Sequence, residues 1–124
     1  MPNLPSSTGT GNVRTTHLLD GKDTVGSLTA HLTPHPYAIL QLLDLHVAQH
    51  HRRKGVATRL LTAALADAQA QLGTHKLRRA YMNLPHKSAV DLRAFLTHAG
   101  FHHVTTTTGL VMGEDLLTYV KSYT

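Results

Sequence analysis

The sequence predicts an α/β (α+β) domain: a mixed, mostly antiparallel twisted sheet with helices on both faces. Three observations carry this reading. Thr24 to Leu32 alternates between apolar and small or polar residues, Ala38 to Val47 is a dense apolar run, and Ala57 to Leu72 repeats its apolar residues at helical spacing. In chain order the elements read β-β-β-α-β-α-β-β, a sheet with helices packed on it.

Residues 1–12 are rich in Pro, Ser, Thr and Gly and read as a flexible tail, leaving 13–124 as a single domain. Val13 to Asp20 is Thr- and Val-rich and Gly21-Lys22-Asp23 follows it, so this segment and Thr24 to Leu32 form a hairpin. Pro34-His35-Pro36 breaks the second strand. Ala38 to Val47 has strand length and no helix caps, which fits a central strand buried on both faces. Within Ala57 to Leu72, the residues Leu60, Leu61, Ala64, Leu65, Ala68 and Leu72 form one apolar face, and Gly73 ends the helix. Lys76 to Met82 is a short strand. Ser88-Ala89-Val90-Asp91 has the spacing of a capping box and opens a helix that turns Leu92, Phe95, Leu96 and Ala99 inward and stops at Gly100. Phe101 to Met112 is β-prone through Val104 and its threonines, Gly113-Glu114-Asp115 turns, and Leu116 to Tyr123 returns.

The chain length of 124 residues suits one modest core, and 41% hydrophobic residues suit a globular fold. Without cysteine there are no disulfides, thiolate metal sites or thiol nucleophiles. No secretory signal is recognisable and no apolar run has membrane-spanning length, so a cytoplasmic protein with no membrane partner is expected. The formal charge of +5, before eleven histidines are counted, favours polyanions or a phosphorylated cofactor.

Chemistry concentrates where Leu45-His46-Val47 runs through a basic loop into the strong helix. The first N–H groups of a helix have no intrahelical partner, and the helix dipole adds positive potential there. Gly55 carries no Cβ, Ala57 is nearly as small, and Arg52, Arg53 and Lys54 bring charge to the same lip. These features make a diphosphate cradle. On physical grounds alone, a solvated basic loop before an ordinary helix fits them about equally well. The nucleotide P-loop and the three-glycine dinucleotide fingerprint are both absent.

The stretch resembles the GNAT superfamily of N-acetyltransferases. That family has a strand ending Leu-x-Val, a short polar loop, then Arg/Gln-x-x-Gly-x-Gly/Ala opening a helix. Here these are Leu45-His46-Val47, Ala48 to His51, and Arg52-Arg53-Lys54-Gly55-Val56-Ala57, followed by Leu60-Leu61. Ala94 to Phe101 looks like the family's second helix, which ends in Gly-Phe, and the closing hairpin fits. The resemblance covers about residues 13–123. It implies acetyl transfer from acetyl-CoA to a primary amine of a small molecule or protein, by direct attack. It also implies that the N–H groups from Arg53 to Thr58, with Arg52 beside them, hold the CoA pyrophosphate. The backbone of Leu45 to Val47 would pair with the pantetheine arm, and an N–H near Val47 would face the thioester oxygen.

Two departures stand out. The tyrosine that protonates the leaving thiolate in many members falls at Leu96, which cannot donate a proton. The strand and helical pair that usually begin the family and wall the acceptor are mostly missing, so a macromolecular acceptor or a covering second subunit, as in a homodimer, would each fit. Asp44 and His46 lie on one face of the strand by alternation and are the candidate general bases, Asp44 if burial raises its pKa. A structural ion pair is the plainer role for Asp44. The histidine pairs His50-His51 and His102-His103 do not have chelating spacing, and no metal is expected. A catalytically weak acyl-CoA-binding module is the main alternative. Nucleic acid at His50 to Lys54 is disfavoured, because the chain has no Trp and two Phe to interleave with the charges.

Overall fold

The computed structural model describes residues 4–52, 55–86, 90–111 and 114–123. Its strands are β1 (Ser6–Thr10), β2 (Val13–Asp20), β3 (Asp23–Thr33), β4 (Ile39–Val47), β5 (Arg79–Pro85), β6 (His102–Val111) and β7 (Glu114–Ser122). Its helices are α1 (Val56–Leu72) and α2 (Val90–His98). One sheet holds the strands in the order β1-β2-β3-β4-β5-β7-β6. Only β4 and β5 run parallel, so the sheet is mixed and mostly antiparallel as expected.

The amino-terminal segment corrects the first expectation. Ser6 to Thr10 is an edge strand rather than part of a flexible tail, joined to β2 by a two-residue turn. Side chains hold it. Ser7 Oγ lies 2.7 Å from Thr16 Oγ1. The Arg14 guanidinium donates to the Gly9 and Ser7 carbonyls at 3.2 and 3.4 Å, and to Asp67 of α1 at 2.8 Å. A Ser/Thr-rich segment with no apolar pattern reads as coil until such pairing is visible.

The layering corrects a second. The core gathers Leu28, Ala30, Leu40, Leu42, Ala80, Met82 and Leu84 from the sheet with Leu60, Ala64, Leu96 and Phe101. Arg14, which faces Ala30 across the ladder, reaches α1 through Asp67. Lys121, which faces Ala80, donates to the Ala99 carbonyl after α2 at 2.8 Å. Both helices therefore cover the same face, not opposite faces. The crossovers β4–α1–β5 and β5–α2–β6 step in the same direction along the sheet, and the right hand that such connections take as a rule puts both helices on one side. The other face carries Thr15, Ser27, Thr29 and Gln41, all half-buried, with Thr15 and Thr29 hydroxyls 3.0 Å apart. Among the described residues no α-helix precedes α1.

A third correction concerns β4. Its first half is central, with Leu40 and Leu42 almost fully buried, but Leu43, Asp44 and His46 are exposed. The strand is not buried on both faces over its whole length. The expected capping residues Ser88 and Ala89, the turn residue Gly113 and the loop residues Arg53 and Lys54 lie outside the described residues. Among the described residues no helix is long and apolar enough to cross a membrane.

Candidate functional site

The site begins with a bulge. In the β3–β4 ladder Thr29 faces Asp44 and Ala30 faces Leu42, so Leu43 is an extra residue on β4. The inward positions change phase there, from Leu40 and Leu42 before it to the half-buried Leu45 and Val47 after it. The parallel pairing of β4 with β5 stops at the same place, at Leu42 opposite Met82, while β5 continues along β7 to Pro85. A bulged strand bends and twists more strongly, and here β4 parts from β5.

The parting exposes backbone. The Ala48 N–H donates to the Val25 carbonyl at 2.8 Å, which makes Gly26 and Val47 the non-hydrogen-bonded pair of the ladder. The N–H and C=O of Val47 therefore point away from β3, into the gap, and by alternation those of Leu45 do so too. The Val47 carbonyl accepts from Arg52 Nε at 3.2 Å.

After a short 3₁₀ turn at Gln49–His51, the chain enters α1 through Gly55, whose φ of 76° is left-handed. Among the described residues no side chain caps this end, and its first turn holds no acidic residue. The first helical bond runs from the Arg59 N–H to the Gly55 carbonyl at 3.0 Å. The N–H groups of Val56, Ala57 and Thr58 thus come before the first intrahelical donor. With the dipole they make the end of α1 a positive, donor-rich lip.

Gap and lip border one cleft of about 930 Å³. It is lined by Leu45, His46 and Val47 of β4, by Arg52 and Gly55, and by Val56, Ala57 and Thr58 of α1. The sequence-derived residues thus come together, apart from Arg53 and Lys54, which are outside the described residues, and Asp44. Asp44 is exposed opposite Thr29 and does not line the cleft, so it lacks the burial that its candidate role supposed. His46 is exposed too, opposite Ser27, but lines the cleft.

Seven lining residues were not anticipated: His51 in the loop, and Val90, Asp91, Leu92, Ala94, Phe95 and His98 on α2. Of these, Asp91, Phe95 and His98 are four and three positions apart and form one stripe, a signal the inward-facing assignment of that helix obscured. Leu96, the position of the absent tyrosine, is fully buried in the core and does not line the cleft. Among the described residues no group of three or more His, Asp or Glu side chains could hold a metal ion.

No curated protein sequence matches the chain. Its fold is similar to that of a Desulfovibrio desulfuricans protein described as a GNAT-family acetyltransferase, with a TM-score of 0.77 and 19% identity over 90% of this chain and 69% of that one. It is similar to Arabidopsis thaliana NAA60 solved with a bisubstrate analogue, with a TM-score of 0.77 and 15% identity over 93% and 78% of the two chains. A Bacillus anthracis protein described as a streptothricin acetyltransferase, in complex with acetyl coenzyme A, gives a TM-score of 0.75 and 18% identity over 93% and 65%. A family model described as the acetyltransferase (GNAT) family matches residues 8–101, more than half of the sequence, and the chain belongs to that family.

Proposed function

We propose that the protein is an N-acetyltransferase that moves an acetyl group from acetyl-CoA to a primary amine by direct attack. One observation carries this: the uncapped amides of Val56, Ala57 and Thr58 and the gap-facing N–H of Val47 border a single cleft. The first set suits a pyrophosphate, and the second suits a carbonyl oxygen that gains negative charge. Acetyl coenzyme A in the Bacillus anthracis neighbour accords with this.

When bound, acetyl-CoA supplies an activated acyl group as a thioester. Leu45 and Val47 offer backbone groups to its pantetheine arm as a neighbouring strand would. Gly55 to Thr58, with Arg52, Arg53 and Lys54, hold the phosphates. His46, at the mouth of the cleft, takes the proton from the ammonium of the acceptor, and Asp44 is the second candidate. Leu96 occupies the position of the family's tyrosine and has no proton to give the thiolate, so that step falls to another group or to water. The helix-free face of the sheet leaves the acceptor side open, which suits an amine on a macromolecule or a second subunit that completes the wall.

The second reading, a module that binds acyl-CoA without chemistry, rests on buried Leu96. Calorimetric titration with acetyl-CoA followed by single-turnover acetylation of an amine panel separates the two. The enzyme consumes acetyl-CoA in an amine-dependent manner, whereas the module binds it and leaves it intact. Absence of binding overturns both.

A further inference from the structure

A second site lies at the opposite end of the sheet. β4 and β5 are parallel and start level, with Ile39 facing Arg79, so the segments before them, 33–38 and 73–78, meet at one end. The cleft lies beyond the other end of β4, about 30 Å away at roughly 3.3 Å per residue. The two segments and Arg79 present His35, Tyr37, His75, Lys76, Arg78 and Arg79, all exposed. Residues 33–38 and 73–79 contain no Asp or Glu.

The groups are arranged. The Arg78 guanidinium carbon lies 5.7 Å from the centre of the Tyr37 ring, which is 58% exposed. His35 and His75 meet edge to face at 6.0 Å. The loop beneath them is tied to α1 by one side chain. Gln69 Nε2 donates to the carbonyls of Gly73 at 3.3 Å and His75 at 2.6 Å, and Gln69 Oε1 accepts from the Leu77 N–H at 3.0 Å. The Arg78 N–H donates to the Ala38 carbonyl at 2.8 Å, joining the two segments. A surface already fixed in this way loses little entropy on binding.

Basic residues after a helix C-terminus also offset its dipole. That accounts for His75 and Lys76, but not for an exposed tyrosine with arginine over it. An acidic peptide would be served by the cations alone. Flat aromatic, imidazole and guanidinium faces among cations suit stacked bases and phosphates together.

We propose that this patch binds single-stranded nucleic acid, with bases stacked on Tyr37 and the two imidazoles and phosphates held by Lys76, Arg78 and Arg79. The scarcity of aromatic residues disfavoured nucleic acid at the cofactor loop. Here the fold supplies the missing aromatic beside the charges, on segments about forty residues apart in sequence. The proposal is independent of acetyl transfer.

The test is fluorescence anisotropy of a labelled oligothymidylate of about twelve nucleotides, a length within the usual site sizes. It is run on the full chain with excess CoA, and again with Arg52→Glu so that the cofactor loop is discounted even if CoA does not bind. Binding that persists in both arms is expected. The plot of log affinity against log salt should have a slope of about −2, as three neutralised phosphates give on a single strand. Tyr37→Ala should weaken binding roughly tenfold. Lys76→Glu with Arg78→Glu should weaken it further. Circular dichroism melts confirm that these surface variants are folded. Any of three results overturns the proposal: no binding at low salt, binding lost with CoA or Arg52→Glu, or indifference to Tyr37→Ala while oligoglutamate binds equally well. The last would point to an acidic protein.

Discussion

Gly26 of β3 and Val47 of β4 face each other across the wide step of their ladder, and the bare Gly26 lets the first turns of α1 come down on that pair. A Cβ at Gly26 would lie 2.9 Å from the His46 carbonyl oxygen, 3.0 Å from Leu60 Cδ1 and 3.1 Å from Val56 Cγ1. Leucine can turn away, but the carbonyl cannot move without β4. Gly26→Ala is expected to lower the unfolding free energy by about 1–3 kcal/mol, the usual cost of overpacking. It should also weaken CoA binding more than an equally destabilising variant remote from the cleft, such as Leu32→Ala. Urea melts and CoA titrations of both variants check this, and equal affinities would mean that α1 does not depend on the Gly26 contact for its placement.

Gly55 is needed for a different reason. Among the described residues no heavy atom outside its chain neighbours comes within 4 Å of a Cβ built there, so space is not the constraint; its φ of 76° is. Alanine at this position should cost about 1 kcal/mol through left-handed strain and largely keep CoA affinity. Gly55→Glu adds negative charge to the lip and should reduce affinity at least about tenfold, a loss of roughly 1.4 kcal/mol. If the two variants lose the same affinity, the effect is conformational and the amides of Val56 to Thr58 are not the anion site.

The two candidate bases are separable by position, since His46 lines the cleft and Asp44 does not. A positioned general base contributes about a hundredfold or more to the rate. His46→Gln should lower kcat about a hundredfold. Asp44→Asn should keep most of the rate. Steady-state kinetics of both variants on the best amine substrate decide between them.

The sequence shows what local rules govern and hides what pairing decides. The apolar face of α1 and the glycine at its start are local, so the helix and the placement of its first turn were readable. The polar residues of Ala38 to Val47 change phase between Gln41 and Asp44, across the doublet Leu42-Leu43, a mark of the extra residue that is lost when the segment is read as one apolar run. The bulge follows from the register with β3, and with it the gap and the exposure of Asp44. β1 is a strand because Arg14 reaches both its backbone and Asp67, a link spanning fifty-three positions. The single helix-covered face follows from crossover handedness, a property of topology rather than of any residue.

Leu96 has a consequence for attempts to restore the family's acid. Its side chain is fully buried beside Phe101 and the sheet core. Leu96→Tyr adds volume and a hydroxyl to a packed apolar site, at a cost of about 1–3 kcal/mol. A melting point lower by several degrees and no gain in turnover are expected. Faster turnover would show that the helix can rotate this position towards the cleft.

Tyr123 couples stability to pH in the alkaline range. Its hydroxyl is buried without a hydrogen-bond partner among the described residues, and burial raises its pKa above the ordinary tyrosine value. The folded state therefore holds the phenol proton to higher pH than the unfolded chain, which releases it near pH 10. Below that pH both states are protonated and the group adds no pH dependence. Above it the unfolded state is favoured by ionisation, so stability falls as pH rises through the folded pKa. Tyr123→Phe removes both the ionisation and the unpaired hydroxyl. It should equal or exceed the parent by up to about 1 kcal/mol at neutral pH. Its stability should also decline less between about pH 9 and about pH 11. Urea unfolding across that range checks the sign, and parallel declines in parent and variant would mean that the phenol is solvated in the folded protein.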